Sequence, residues 1–228
     1  MLQVKDVSKI YELGNNQVVS LNNVSLNVEK GDIVAVVGPS GSGKSTLLYT
    51  VGGLLTPTQG DITIGGTPIY QLSSRKRAQF RRENLGFIFQ TFELLPYLTA
   101  LENVMLPLHL AGAPSGEQDA TAMDALERVG LGKRAGHKPT ELSGGEQQRV
   151  AVARGIVNNP NILLADEPTG NLDQKTGNEI MRLLCDLHEK EGLTLIFVTH
   201  DPAKAKLAGT VVEMLDGHIV TNKNVNKI

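Results

Sequence analysis

The stretch "IVAVVGPSGSGKSTLL", Ile33 to Leu48, combines three local signals that decide the fold. The continuous apolar run at its start predicts a short strand buried on both faces, as in parallel sheets. A glycine-rich loop ending in lysine follows, and the apolar residues after it have helical spacing. A buried strand, a glycine loop and a helix in this order predict an α/β fold with a parallel sheet at its centre.

The loop itself matches the pattern G-x-x-x-x-G-K-[S/T]. Glycines let backbone N–H groups close around phosphate oxygens, and the helix N-terminus adds positive potential. The lysine can place its charge on the β- and γ-phosphates, and the serine hydroxyl can bind Mg²⁺. The residues predicted to hold the nucleotide phosphates are Gly38, Pro39, Ser40, Gly41, Ser42, Gly43, Lys44, Ser45 and Thr46.

Two other nucleotide-binding classes are excluded by their own patterns. The glycine spacing does not fit G-x-G-x-x-G, and a lysine follows directly, so a dinucleotide fold is not predicted. A guanine-specific switch protein would carry N-K-x-D. The segment most similar to this pattern, Asn222-Lys223-Asn224-Val225, lacks the aspartate.

Amino-acid composition excludes several further classes of protein. The 22 basic and 24 acidic residues of this 228-residue chain leave a net charge of −2, which gives no support for nucleic-acid binding. The basic run "RKRAQFRR", Arg75 to Arg82, is predicted to be a solvated helix face, with a phosphate or lipid-headgroup role as the alternative. A single cysteine, Cys185, fits a reducing compartment and excludes a disulfide framework. No apolar stretch is long enough to span a bilayer.

The order of patterns predicts one domain with an insertion. Alternating stretches near the N-terminus predict an antiparallel edge sheet, and "NILLAD" and "LTLIFVTHD" predict further buried strands. Over residues 91–157 the strand-like sequence patterns give way to helical ones. We interpret this stretch as a helical subdomain inserted into a nucleotide-binding core formed by residues 1–90 and 158–228. The tail, residues 221–228, is expected to fray.

Polar residues follow the apolar strands at places where α/β proteins bind ligands. Asp166 and Glu167 end the strand in "LLADEP", and Gln90 and His200 follow two other strands. We expect Asp166, Gln90 and Ser45 to serve the Mg²⁺ site. We expect Glu167 to polarise the attacking water, and Gln90 and His200 to sense the metal, the water and the terminal phosphate. Asp166 and Glu167 alone would more often be solvated surface, so this assignment depends on the phosphate loop.

A second helix start lies in "ELSGGEQQR", Glu141 to Arg149. Ser143 and Glu146 satisfy the S-x-x-E capping-box pattern. The capping box does not explain Gly144 and Gly145, because each glycine costs about 0.5–1 kcal/mol in a helix relative to alanine. A helix start with free N–H groups and no side-chain bulk predicts an anion site for a phosphate held elsewhere.

Taken together, "LSGGE", the phosphate loop, "LLADEP", "GNLD" and "VTHD" resemble the nucleotide-binding subunits of ABC transporters over nearly the whole chain. The resemblance implies a P-loop NTPase with a RecA-like core, an antiparallel β subdomain and a helical subdomain. It implies ATP and Mg²⁺ as cofactors and a head-to-tail homodimer. In that dimer Ser143, Gly144 and Gly145 of one subunit cover the γ-phosphate bound by its partner.

The resemblance also assigns two residues outside the main motifs. It implies that Tyr11 stacks on adenine and that Asp173 lies at the dimer seam near the partner's phosphate loop. Glu146 replaces the glutamine of many family members, and we expect this change to tune coupling without abolishing hydrolysis. Glu167 is retained, which favours an active ATPase.

The sequences of these motifs are most similar to those of the lipoprotein-releasing and macrolide-efflux exporter groups. This implies separate membrane subunits that dock near residues 91–106, and a peripheral location on the cytoplasmic face of the inner membrane. A regulatory ATPase of the division-site type would share every motif and stays open as an alternative. A P-loop kinase would need neither "LSGGE" nor a dimer.

Overall fold

The computed structural model of the chain describes residues 1–14 and 16–224. Its strands are β1 (Leu2–Leu13), β2 (Asn16–Val28), β3 (Ile33–Val37), β4 (Gln59–Ile64), β5 (Thr67–Pro68), β6 (Leu85–Ile88), β7 (Ile162–Asp166), β8 (Thr194–Val198), β9 (Thr210–Leu215) and β10 (His218–Asn224). Its helices are α1 (Lys44–Val51), α2 (Ser74–Asn84), α3 (Ala100–Ala111), α4 (Ser115–Arg128), α5 (Gly144–Ile156), α6 (Gln174–Glu191) and α7 (Pro202–Ala205). Two short 3₁₀ turns, Gly132–Arg134 and Pro139–Glu141, precede α5.

A six-stranded sheet in the order β10-β9-β3-β8-β7-β6 forms the centre of the fold. The strands from β9 to β6 are parallel, and β10 pairs antiparallel with β9. The middle strands β7 and β8 are buried along their whole length, as their continuous apolar sequences predict. Because these strands are parallel, the loops after β3, β7 and β8 leave the sheet at the same edge.

The N-terminal region forms a separate four-stranded antiparallel sheet in the order β2-β1-β4-β5, which confirms the predicted edge sheet. Apolar residues from this sheet, including Leu2, Val4 and Ile62, share a buried cluster with Leu47 and Leu48 of α1. Side chains from one face of the six-stranded sheet complete the cluster. The helix that follows the glycine loop is therefore held between the two sheets.

Helices α3, α4 and α5 lie between β6 and β7 in the chain, within the stretch predicted to be helical. With α6 they cover the other face of the central sheet in a second apolar cluster. Capping boxes start two of these helices, with Thr99 and Glu102 at α3 and Ser143 and Glu146 at α5. Among the residues that the structure describes, no helix is long and apolar enough to cross a membrane.

The C-terminal hairpin corrects one prediction. Residues 221–224 do not fray, because they pair with residues 210–213 in the β9–β10 ladder. Asp216 and Gly217 connect the strands, and both have positive φ, 46° and 79°. An Asp-Gly pair with this backbone makes a tight turn that suits the twist of a hairpin. Residues 225–228 of the expected frayed tail lie outside the described residues.

Candidate nucleotide site

The glycine loop is shaped by close contacts with neighbouring backbone. A Cβ on Gly38 would lie 2.2 Å from the carbonyl oxygen of Met214, and one on Gly43 would lie 2.3 Å from that of Ser20. Gly41 has a φ of 80° and nothing within 4 Å of an added Cβ, so it borders open space. Helix α1 begins after Gly43, which has no side chain to cap the first amides. The loop thus offers free N–H groups to an anion.

Lys44 and Ser42 show that the loop suits a phosphate. The Lys44 side chain is buried, and its Nζ donates to the neutral carbonyl oxygen of Pro39 at 2.7 Å, so this bond leaves its charge uncompensated. Among the described residues, the buried Ser42 hydroxyl has no hydrogen-bond partner. Thr46 accepts a hydrogen bond from Ser20 at 2.8 Å. A buried cation and an unsatisfied hydroxyl in a glycine cradle fit a phosphate group.

Asp166, at the end of β7, is buried and has a donor on each carboxylate oxygen. The Ser45 hydroxyl donates to Oδ1 at 2.9 Å, and the Tyr49 hydroxyl donates to Oδ2 at 2.6 Å. Burial, followed by the hydrogen bond to Asp166, raises the pKa of Tyr49 well above its usual range. Tyr49 was not among the residues predicted for this site. Its spacing from Ser45, four residues along the same helix, was the available signal.

Glu167, Gln90 and His200 come together beside the loop that follows β7. Glu167 has a φ of 44°, and its Oε2 lies 3.2 Å from Nδ1 of His200. A Cβ on Gly170 would lie 2.8 Å from Nε2 of Gln90 and 3.2 Å from Oε2 of Glu167. The side-chain Nδ2 of Asn171 also donates to the Gln90 backbone carbonyl at 2.9 Å. Three residues predicted from separate strand ends therefore share one small region.

The segment after Gln90 is fixed by Arg154 of α5. Phe92 and Glu93 both have positive φ, 59° and 52°, which non-glycine residues rarely adopt. Arg154 donates to the backbone carbonyl of Phe92 at 2.7 Å and to that of Glu93. Burial lowers the pKa of the Arg154 guanidinium. This half-buried arginine supports a backbone conformation that the sequence alone did not indicate.

The start of α5 confirms the predicted capping box. Glu146 Oε2 accepts hydrogen bonds from the Ser143 backbone N–H and hydroxyl, both at 2.9 Å, and the Glu146 N–H donates to Ser143 Oγ at 3.3 Å. The bond from the Ser143 N–H is the main reason that the pKa of Glu146 is lowered. Arg134 adds an ion pair at 3.3 Å. Ser143 and Gly144 are exposed.

Packing within the chain explains why one of the two glycines, Gly145, has no side chain. A Cβ on Gly145 would lie 2.5 Å from Cγ2 of Thr176 on α6, so a side chain there would require one of the two helices or Thr176 to shift. An added Cβ on Gly144 would reach only ordinary contact, 3.4 Å from Leu172. Both glycines were predicted to mark the approach of a ligand. For Gly145 the contact with Thr176 is a sufficient explanation.

Gln148 on α5 is a second residue that the sequence analysis missed. It is fully buried, and its Nε2 donates to the backbone carbonyl of Pro168 at 2.7 Å. Pro168 directly follows Glu167, so this bond joins the helix that begins at Ser143 to the loop carrying the predicted base. The signal was a glutamine four residues before Val152 on the apolar side of the helix.

Tyr11 and Asp173 make local contacts that are separate from the roles predicted for them. Asp173 caps α6, with Oδ1 accepting from the backbone N–H groups of Lys175 and Thr176 at 3.0 and 3.1 Å. Hydrogen bonding with Thr176 lowers the pKa of its carboxyl. Tyr11 lies on β1, and the Lys9 ammonium sits 5.1 Å from its ring centroid. The adenine and dimer-seam roles of these residues stay predictions.

An apolar groove of about 380 Å³ lies beside β6 and α3. Phe87, Leu106, Pro107 and Leu110 are among its walls, and Leu110 is 69% exposed. Charged residues also line it, namely Arg81, Arg82, Arg154 and Glu93. Of the predicted docking stretch 91–106, only Glu93 and Leu106 line this groove. Its other walls come from α2, β6, α5 and the end of α3.

Comparison with known proteins identifies the family. Residues 21–170 match the family described as ABC transporter. The chain is 49% identical over 219 residues to an uncharacterised ABC transporter ATP-binding protein of Thermotoga maritima, covering 96% of this chain and 93% of that protein. It is 47% identical over 222 residues to the lipoprotein-releasing system ATP-binding protein LolD of Geobacter metallireducens, covering 97% and 99%.

Solved structures agree with these relatives. A dimeric post-hydrolysis structure of the ATP-binding cassette MJ0796, bound to ADP and Pi, matches with a TM-score of 0.92 and 44% identity over the full length of both chains. A second dimeric structure of this bacterial ABC transporter cassette gives the same values. CbiO1 of Clostridium perfringens, part of the transporter complex CbiONQ, matches with a TM-score of 0.86 and 30% identity, covering 98% of this chain and 88% of CbiO1. The chain therefore belongs to the ABC transporter family, as an ATP-binding cassette ATPase with a P-loop NTPase fold.

Proposed function

We propose that this ATPase works as a head-to-tail homodimer that binds two MgATP molecules and powers an exporter of the lipoprotein-releasing or macrolide-efflux type. The main observation in support of the dimer is that Ser143 and Gly144, at the start of α5, are exposed. An uncovered helix N-terminus is suited to a phosphate, and here it would close on the partner's ATP. The two dimeric MJ0796 structures support this assembly.

In this proposal the loop Gly38–Thr46 holds the triphosphate. Lys44 exchanges the Pro39 carbonyl for phosphate oxygens, where its charge is neutralised. Gly41 and the uncapped amides of α1 supply further donors. Tyr11 stacks on adenine, and Asp173 lies at the subunit seam. Residues 91–157 act as the helical subdomain that presents Ser143 to the partner.

The Mg²⁺ site would be formed by Ser45, Asp166 and Gln90. Oxygen ligands suit Mg²⁺, which usually keeps several waters and binds protein through few side chains. The Ser45 proton is donated to Asp166, so the lone pairs of the Ser45 oxygen stay available. When bound, the ion would neutralise charge on the phosphates. The protein would contribute the side-chain oxygens of Ser45, Asp166 and Gln90, and the hydrogen bond between Ser45 and Asp166 is already formed.

For hydrolysis, Glu167 is the proposed general base. Its carboxylate accepts a proton as water attacks the γ-phosphate, and the contact with His200 Nδ1 at 3.2 Å orients it. His200 and Gln90 would then contact the terminal phosphate and the positioned water. Glu167 is partly buried and His200 is exposed, so a partner subunit would cover the histidine on closure.

The apolar groove beside β6 and α3 is the proposed docking site for a separate membrane subunit. Three arginines against one glutamate among its lining residues favour a short helix that is apolar and carries carboxylates. This arrangement would hold the ATPase at the cytoplasmic face of the inner membrane as a peripheral subunit. The 47% identity to LolD supports the exporter group.

Gel filtration of Glu167→Gln tests the dimer, because blocking hydrolysis should trap the closed state with ATP. We expect a monomer without nucleotide and a dimer with MgATP. Adding Ser143→Arg in this background should keep the protein monomeric while each subunit still binds ATP. Ser115→Arg, at the exposed start of α4, is the matched control and should still dimerise. An ATP-dependent dimer that persists with Ser143→Arg would contradict the proposal.

Mixing two inactive variants tests the head-to-tail arrangement. A heterodimer of a Lys44→Ala subunit and a Ser143→Arg subunit retains one site with both residues intact. Its other site lacks both residues, and at ATP concentrations too low to fill the Lys44→Ala loop the added guanidinium there meets no bound triphosphate. We therefore expect phosphate release by the mixture and none by either parent. An inactive mixture that still forms ATP-dependent dimers would show that Lys44 and Ser143 act in the same subunit.

The exporter role is tested by purifying the chain with the membrane protein encoded beside it. Release of a membrane-anchored lipoprotein from proteoliposomes, dependent on ATP and abolished by Glu167→Gln, supports the proposal. A stable complex that hydrolyses ATP but releases no lipoprotein and extrudes no macrolide would favour the division-site type of function.

A further inference from the structure

We infer that Tyr49 is a positioning residue that holds Asp166 in the orientation needed at the Mg²⁺ site. This inference rests on the proposed function of Ser45 and Asp166. Tyr49 projects from α1, five residues after Lys44, and its hydroxyl donates to Asp166 Oδ2 at 2.6 Å. It is the donor on the carboxylate oxygen that Ser45 does not use.

Asp166 needs both donors to keep one orientation. It is 6% exposed, and a buried carboxylate must have its oxygens satisfied by hydrogen bonds. The terminal torsion of an aspartate is broad, so a single donor would not fix the carboxylate plane. Ser45 engages Oδ1 and Tyr49 engages Oδ2, and together they determine that plane. Without Tyr49, the carboxylate could turn and draw the Ser45 proton with it.

The position of the Tyr49 ring is in turn fixed by aromatic contacts. Its centroid lies 6.2 Å from that of Phe89, with an interplanar angle of 51°. Phe89 stacks on Phe87 at 5.8 Å and 6°. Both phenylalanines line the apolar groove proposed to receive the membrane subunit. Three rings in contact therefore extend from that groove to the carboxylate, with Tyr49 at the end nearest Asp166.

The test is the gain in nucleotide affinity on adding Mg²⁺, measured with the β,γ-imido analogue of ATP, which is not cleaved. Calorimetric titrations with EDTA and with excess Mg²⁺ give this gain for each protein. Removing the second-sphere partner of a metal site typically weakens metal binding about 10–100-fold. We expect Tyr49→Phe, which keeps the ring, to reduce the Mg²⁺-dependent gain about 10-fold and to leave metal-free binding unchanged.

Two further variants separate positioning from general stabilisation. Tyr70→Phe removes another half-buried tyrosine hydroxyl, one that donates to the carbonyl oxygens of Thr50 and Leu55, and should leave the gain unchanged. In an Asp166→Asn background, Tyr49→Phe should have no further effect, because the residue acts through Asp166. An additional 10-fold loss in that background would overturn the inference.

The remaining outcomes distinguish this inference from the proposed function. If the wild-type chain binds the analogue no more tightly with Mg²⁺ than with EDTA, the proposed metal site is wrong and the role of Tyr49 is wrong with it. If the wild-type chain shows the gain and Tyr49→Phe retains it in full, only the role of Tyr49 is refuted.

Discussion

Replacing Gly145 by alanine would reveal whether that glycine serves internal packing. The added Cβ would lie 2.5 Å from Cγ2 of Thr176, a contact that requires a shift. Overpacking of this kind costs about 1–3 kcal/mol, while alanine gains up to about 1 kcal/mol over glycine in a helix. We therefore expect Gly145→Ala to lower the free energy of unfolding by about 1 kcal/mol. In a Thr176→Ser background, which lacks Cγ2, the same change should raise it by up to about 1 kcal/mol.

Urea unfolding followed by circular dichroism would measure the free energy of unfolding of four proteins. These are the wild-type chain, Gly145→Ala, Thr176→Ser and the double variant. Gly144→Ala is the matched control, because it adds the same methyl one residue earlier in the same helical turn, where the nearest contact is 3.4 Å. This control should not lose stability in either background. An equal loss for Gly145→Ala with threonine and with serine at position 176 would refute the steric explanation and restore a ligand as the reason for the glycine.

Three other changes follow from the site and the caps. Lys44→Ala should weaken ATP binding about 10–100-fold in equilibrium titrations, since it removes charge-assisted hydrogen bonds; unchanged affinity would contradict its phosphate role. His200→Ala should slow phosphate release about 100-fold or more with a small loss of binding, and a near-normal rate would exclude it from the reacting centre. Hydrogen bonds at their helix caps lower the pKa of Glu102 and Glu146, so stability from these caps is present above the ordinary value of 4.5 and is lost as the pH falls through the lowered values. Thermal unfolding should show this loss, and Glu102→Gln should flatten the profile; an identical profile would contradict the cap assignment.

The parallel core could be predicted because its strands are continuous apolar runs bounded by polar residues. Strands β3 and β7 begin and end within one residue of the predicted stretches, and β8 ends at Val198, three residues before the end of its predicted stretch. The polar residues after them fall at one edge of the sheet, which is why Glu167, Gln90 and His200 meet as expected. Periodicity along the chain carries this information directly.

The missed features are contacts between residues far apart in the chain. Tyr49 meets Asp166 across 117 positions. Its spacing of four residues from Ser45 indicates that the two side chains share a helix face, but it does not indicate which distant residue they contact. The contact of Gly145 with Thr176 depends on how α5 packs against α6, which periodicity does not determine. The β9–β10 hairpin is different, because Asp216 and Gly217 signal it in the sequence. The polar composition of residues 221–224 outweighed that signal.

The buried hydrogen bond from Gln148 to the Pro168 carbonyl joins helix α5 directly to the loop that carries Glu167. In a head-to-tail dimer, the helix that begins at Ser143 faces one ATP and the loop after Glu167 faces the other. In the proposed dimer, we expect a shift of that helix on ATP capture at the first site to reach the carboxylate of the second. The two turnover cycles would then be coupled, and the rate should depend on ATP concentration with a Hill coefficient above one.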